Sequence, residues 1–164
     1  MNATKGIRKL LAAAGLALGL SAGGHAADAH KHEHEHGAAP AKLELNQGRK
    51  WETDAPLRQG MTSIRGAMET ALGGIHEHKY TAAQYGALAK KVNGEVSGIV
   101  ANCKLEPKAD AQLHIVIAEV LDGVEAMEGK QKKVRREAGA VKVVGALEKY
   151  GDHFDHPGWQ PLRH

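Results

Sequence analysis

Residues 54–75 read DAPLRQGMTSIRGAMETALGGI, and this run decides the fold class. Leu57, Met61, Ile64, Met68, Leu72 and Ile75 recur at intervals of three and four, which places all six on one face of an α-helix. Asp54 can accept hydrogen bonds from the free N–H groups of a first turn, and Pro56 brings a φ already set for that turn. No two-residue alternation of apolar and polar residues persists along the chain, so strands are not expected. A single amphipathic helix of this length is marginal in water, so the stripe demands partners.

Three further stripes supply them. Thr81, with Gln84 three residues on, forms a capping box. Behind it Tyr85, Val92, Val96, Ile99 and Cys103 share a face, with Leu88 beside them. Pro107 suits another first turn and is followed by Leu113, Val116, Ile117, Val120, Leu121, Val124 and Met127. Gly129 and the basic run Lys130, Lys132, Lys133, Arg135 and Arg136 read as a solvated connection. The last stripe is Ala140, Val143, Val144, Leu147, Tyr150 and Phe154, and Pro157 stops it. Four helices of roughly twenty residues joined by short loops predict an all-α, up-down-up-down antiparallel four-helix bundle over residues 51–164. Glycine is abundant, 20 of 164 residues, against a typical ~7 %. Gly66, Gly94, Gly98, Gly123 and Gly145 fall inside the helices, where each costs about 1 kcal/mol relative to alanine. Such a pattern implies close helix approach or a bundle that breathes.

The first residues follow other rules. Lys5, Arg8 and Lys9 precede an apolar run from Leu10 to Leu20, and Gly24-His25-Ala26 is a small-x-small cleavage pattern. Residues 1–26 are therefore expected to be a secretory signal peptide removed after Ala26, which implies a soluble periplasmic protein without a membrane anchor. The chain carries a formal charge of +3, and removal of those three basic residues brings it to zero. Nucleic acid is thus not an expected partner. Residues 27–50 are polar, rich in His and Ala, and without apolar periodicity, so a His-rich arm is expected there, disordered through about Lys42.

Within that arm His30, His32, His34 and His36 alternate with Lys31, Glu33 and Glu35. Imidazole nitrogens suit copper, zinc and nickel, and alternate residues of an extended chain can wrap one ion. A plain solubilising tail is the bland alternative for the same residues. A second group follows from topology. In the expected bundle, the start of helix one, the end of helix two, the start of helix three and the end of helix four meet at one pole. That pole collects Met61, Cys103, His114, His153 and His156, with Trp51 and Trp159 nearby. Thioether, thiol and imidazole are the donor set copper prefers. The competing reading makes Met61 and Cys103 core filler and the histidines surface groups. His76 and His78 lie at the opposite pole and read as a polar turn.

Cys103 is the only cysteine, so it forms no internal disulfide, and it is the candidate contact of a homodimer, together with a bundle face. Glu119, Asp122, Glu125 and Glu128 read as a solvated helix face. No nucleophile, base and orienting group fall into a catalytic pattern, so an enzyme is not expected.

A bundle with a methionine early in helix one and a histidine late in helix four resembles the cytochrome b562 family and the related cytochromes c′. The resemblance is architectural and spans about residues 54–156. It implies a non-covalent b-type haem ligated by Met61 and His153, hence an electron carrier. The cytochrome c′ likeness stops at the haem attachment, because Cys-x-x-Cys-His is absent. Three functions stand as expectations: transition-metal buffering, sensing or tolerance; haem-based electron transfer; and a non-catalytic interaction or stress module whose segment His156–Leu162 either docks on a partner or folds back with Trp159 as a plug.

Overall fold

A computed structural model of the chain describes residues 42–163, and these form the expected four helices. Helix α1 spans Ala55–His76, α2 Ala82–Asn102, α3 Pro107–Glu128 and α4 Arg136–His153. Each boundary has a local cause. The Asp54 carboxylate accepts from Leu57 N–H at 2.9 Å, and Pro56 sits in the first turn. At α2 both arms of the capping box form: Thr81 accepts from Gln84 N–H, and the Gln84 side chain accepts from Thr81 N–H. The Glu106 carboxylate caps α3, which ends at Gly129 with φ +78°, a backbone conformation that glycine adopts without penalty. Helix α4 has no side-chain cap at its start.

Successive helices run antiparallel. Gly60 near the start of α1 meets Ile99 near the end of α2, and Gly123 late in α3 meets Gly139 early in α4. Ion pairs from Lys142 to Asp122 and from Lys149 to Glu119 carry the same register along α3 and α4. The most extensive interface is α3 with α4, and α1 with α4 is less extensive than α1 with α2 or α2 with α3. All four stripes face a shared core that includes Leu57, Ile64, Met68, Val92, Ile99, Val116, Val120, Met127, Val143, Leu147 and Tyr150. Among the described residues no charged or polar side chain is buried there. No strand forms among them either; only isolated bridges join Asn46 to Arg49 and Trp51 to Phe154.

The glycines divide into two kinds. At Gly123 and Gly139 an added Cβ would lie 2.7 and 2.6 Å from the carbonyl oxygen of the facing glycine, so the α3 and α4 backbones touch. At Gly66, Gly94, Gly98 and Gly145 nothing lies within 4 Å. Close approach thus explains the two glycines of the α3/α4 interface, and the structure offers no packing reason for Gly66, Gly94, Gly98 or Gly145.

One boundary moves. Residues 42–50, which composition places with the polar arm, lie along the bundle as a strap. Glu44 N–H donates to the Gln112 side chain at 2.7 Å, and Leu43 packs against the core. A tight turn at Asn46–Arg49 reverses the strap, with Gln47 and Gly48 both at positive φ. Trp51 then enters the core at 7 % exposure. Its indole N–H donates to the Glu44 carbonyl at 2.6 Å, and its backbone pairs with His153 and Asp155. The remaining arm, 27–41, and the proposed leader, 1–26, lie outside the described residues. Among the described residues no helix is long and apolar enough to cross a membrane.

Candidate functional site

The pole formed by Asp54, Cys103, Glu106 and Phe154 holds all five internal residues singled out by topology, and they do different things there. Met61 has 0 % exposure and sits among core side chains on the inner face of α1. Its sulfur fills space in the core, a role for which the flexible thioether is well suited.

Cys103 caps the end of α2, partly buried, with its N–H bonded to the Ile99 carbonyl at 2.9 Å. It lines a shallow depression of about 190 Å³ with Asp110, His114 and the apolar residues Ile99, Val100, Leu113 and Ile117. Burial pushes the Cys103 thiol up, and the nearby Asp54 and Asp110 carboxylates push it further. The thiol form, a poorer metal ligand than the thiolate, is therefore favoured. His114 is exposed on α3, one helical turn from Asp110. Its Nδ1 lies 2.9 Å from the Asp110 carbonyl oxygen and 3.4 Å from the carboxylate, which leaves Nε2 free. Of the predicted internal ligands, Cys103 and His114 alone share a cavity wall.

His153 does not reach inward. Its Nδ1 lies 2.8 Å from the Lys149 carbonyl oxygen, so the ring folds back along α4. This follows from its angular position about 100° from the centre of its stripe. A haem ligated by Met61 and His153 needs a slot beside the methionine sulfur. Met61 is sealed and the His153 ring is turned along its own helix, so these residues do not fit a b-type haem as they stand.

His156 belongs to the C-terminal segment that closes the pole. Its Nδ1 lies 2.9 Å from the Tyr150 hydroxyl, and its Nε2 lies 3.5 Å from the Thr62 hydroxyl on α1. The Tyr150 ring has 0 % exposure and stacks on Phe154 at 5.2 Å between centroids. Trp159 folds back edge-on to Tyr150 at 4.9 Å and covers Gly151, where a Cβ would lie 2.5 Å from the indole nitrogen. The plug expected of Trp159 is thus formed, and glycine at 151 makes room for it. Sequence reasoning did not single out Tyr150 or Thr62 as partners of His156. A signal existed for the first: a buried tyrosine hydroxyl needs a polar partner, and a histidine six residues on can return to it.

At the opposite pole the exposed His78 places Nδ1 3.7 Å from the half-buried Glu137, consistent with a polar turn, and His76 ends α1. Among the described residues no three of His, Cys, Asp and Glu stand together so as to hold a metal ion. His30, His32, His34 and His36 lie outside the described residues.

No protein-family model, no curated protein and no solved structure matches this chain.

Proposed function

We propose that the chain is a periplasmic transition-metal-binding protein, a buffer, sensor or tolerance factor for copper, zinc or nickel. The tract His30-Lys31-His32-Glu33-His34-Glu35-His36 supplies its principal ligands. The single observation that carries this reading is four imidazoles within seven residues of sequence. Four such donors satisfy one ion without help from the bundle. The described residues support a division of labour. Met61, His153 and His156 are occupied with packing or hydrogen bonds, and Cys103 with His114 remains as a secondary soft-donor pair. The strap at 42–51 ties the chain just downstream of the tract to the bundle pole. Binding is proton-linked in this account: neutral imidazole is the ligand, so affinity falls as pH drops through about 6.5.

The test is a calorimetric or competition titration with Cu(II), Cu(I), Zn(II) and Ni(II), made on residues 27–164 and on the variant with His30, His32, His34 and His36 replaced by alanine. Loss of an outer-shell partner alone costs roughly 10–100-fold in metal affinity. The four-alanine variant is expected to lose more than that for at least one ion. Equal affinity in parent and variant, or no saturable binding by the parent, overturns the reading.

A further inference from the structure

We propose that His156 is a protonation-sensitive latch, which holds the segment His156–Arg163 on the bundle pole at neutral pH and releases it in acid. The inference stands on the geometry of that pole and is independent of the metal-binding reading.

The segment is fastened at few points. Leu162 is buried at its far end, Arg65 on α1 donates to the Gln160 carbonyl, and Trp159 lies over Gly151. Asp155, just before the segment, is anchored by its N–H to the Trp51 carbonyl at 2.7 Å and by its carbonyl to the Thr53 hydroxyl, and from there on the other polar fastening is the His156 ring, clasped between Tyr150 on α4 and Thr62 on α1. Burial pushes the Tyr150 hydroxyl well up, so it stays protonated and is a natural donor to Nδ1. That arrangement requires a neutral imidazole. A protonated ring carries N–H on both nitrogens, so Nδ1 can no longer accept. The Tyr150 hydroxyl oxygen can then only accept from Nδ1–H, and its own hydrogen, on a side chain with no exposed surface, loses its acceptor and opposes the docked state.

The charges around the ring act in the same direction. Burial and then the Arg58 guanidinium hold His156 below the ordinary imidazole range, against a smaller opposing pull from Asp155. Arg58 and Arg65 come from α1, while Lys50 of the strap and Glu148 and Asp152 of α4 line a depression of about 530 Å³ together with Asp155, His156 and Trp159. In the released segment the ring regains its ordinary value of about 6.5. The docked state is therefore favoured in full above that value, and loses ground as pH falls toward the depressed one. At pH 5.0 protonation of the released form favours release by at most about 30-fold, since the ordinary value lies 1.5 units higher. Carboxylates have mostly not yet titrated at that pH.

The experiment is amide hydrogen exchange on the full chain, corrected for intrinsic rates, at pH 7.5 and pH 5.0. Protection at residues 158–163, where Trp159 N–H bonds to the His156 carbonyl at 3.0 Å, is expected to fall several-fold in acid while α1–α3 remain protected. In His156→Asn the amide oxygen replaces Nδ1 as acceptor but cannot charge, so the fall is expected to vanish whatever the variant's starting stability. A proton NMR titration of the His156 ring in the parent gives a second reading, with a midpoint below about 6.5 expected. The same acid loss in His156→Asn, no loss in the parent, or a ring midpoint at or above the ordinary value each overturns the latch.

Discussion

Gly139→Ala is expected to destabilise the bundle by about 2–3 kcal/mol, although alanine is the better helix former. Alanine gains about 1 kcal/mol of helix propensity over glycine. Against that, its Cβ would lie 2.6 Å from the Gly123 carbonyl oxygen and 2.7 Å from the Met127 amide nitrogen. Both are backbone atoms, so no rotamer change relieves the clash. Helices α3 and α4 must separate along their whole interface, the most extensive in the molecule. Overpacking of a tight core costs about 1–3 kcal/mol and at times more, and a rigid neighbour places this site at the upper end. Gly66→Ala and Gly94→Ala are the controls. Nothing stands within 4 Å of either position, so each variant is expected to gain roughly 0.5–1 kcal/mol. Urea unfolding measures all three. A neutral or stabilising Gly139→Ala contradicts the close backbone contact of α3 and α4.

Tyr150→Ala is expected to cost about 3–5 kcal/mol, in the range of large aromatic deletions from a core. The ring has no exposed surface and touches three aromatic neighbours: Phe154, Trp159 and His156. Its removal opens a void between the end of α4 and the returning C-terminal segment, which is held by few other contacts. Trp159 then loses its main packing surface, so its fluorescence is expected to shift to longer wavelength together with the loss of stability. Tyr150→Phe separates packing from polarity. It retains the ring and removes only the hydroxyl partner of His156, so a loss of about 1 kcal/mol is expected. Equilibrium unfolding of both variants checks this. An alanine variant within 1 kcal/mol of the parent shows that Tyr150 does not organise the pole.

These two sites also mark where sequence stops being legible. The four helices were readable because each carries its own signals: the stripe from Leu57 to Ile75, the Thr81–Gln84 box, Pro107 and Gly129 at the two ends of α3, and for α4, which lacks a cap, the stripe from Ala140 to Phe154. Glycine positions were readable too, but not their meaning. Gly66 and Gly139 look alike in sequence, and only the facing helix tells them apart. The strap at 42–50 escaped because it is held by backbone hydrogen bonds and single apolar contacts, which leave no periodicity. The turn at Gln47-Gly48 was its one local trace.

The internal site shows the same limit. Helix topology brings Met61, Cys103, His114, His153 and His156 to one pole, but it does not set the direction of each side chain. Rotation about the helix axis puts Met61 inside and leaves His114 outside. The His156–Tyr150 clasp depends on the chain leaving α4 in an extended conformation at Phe154, which no helical pattern encodes. The histidine tract, by contrast, is visible in sequence alone, which is why the functional proposal rests on it.

The most direct test of that proposal is the metal content of the protein isolated, without chelators or added metal, from the cells that make it. Elemental analysis is expected to find about one copper, zinc or nickel ion per chain, and markedly less in the variant lacking His30, His32, His34 and His36. A protein free of these metals, or equal content in both, contradicts transition-metal binding as its function.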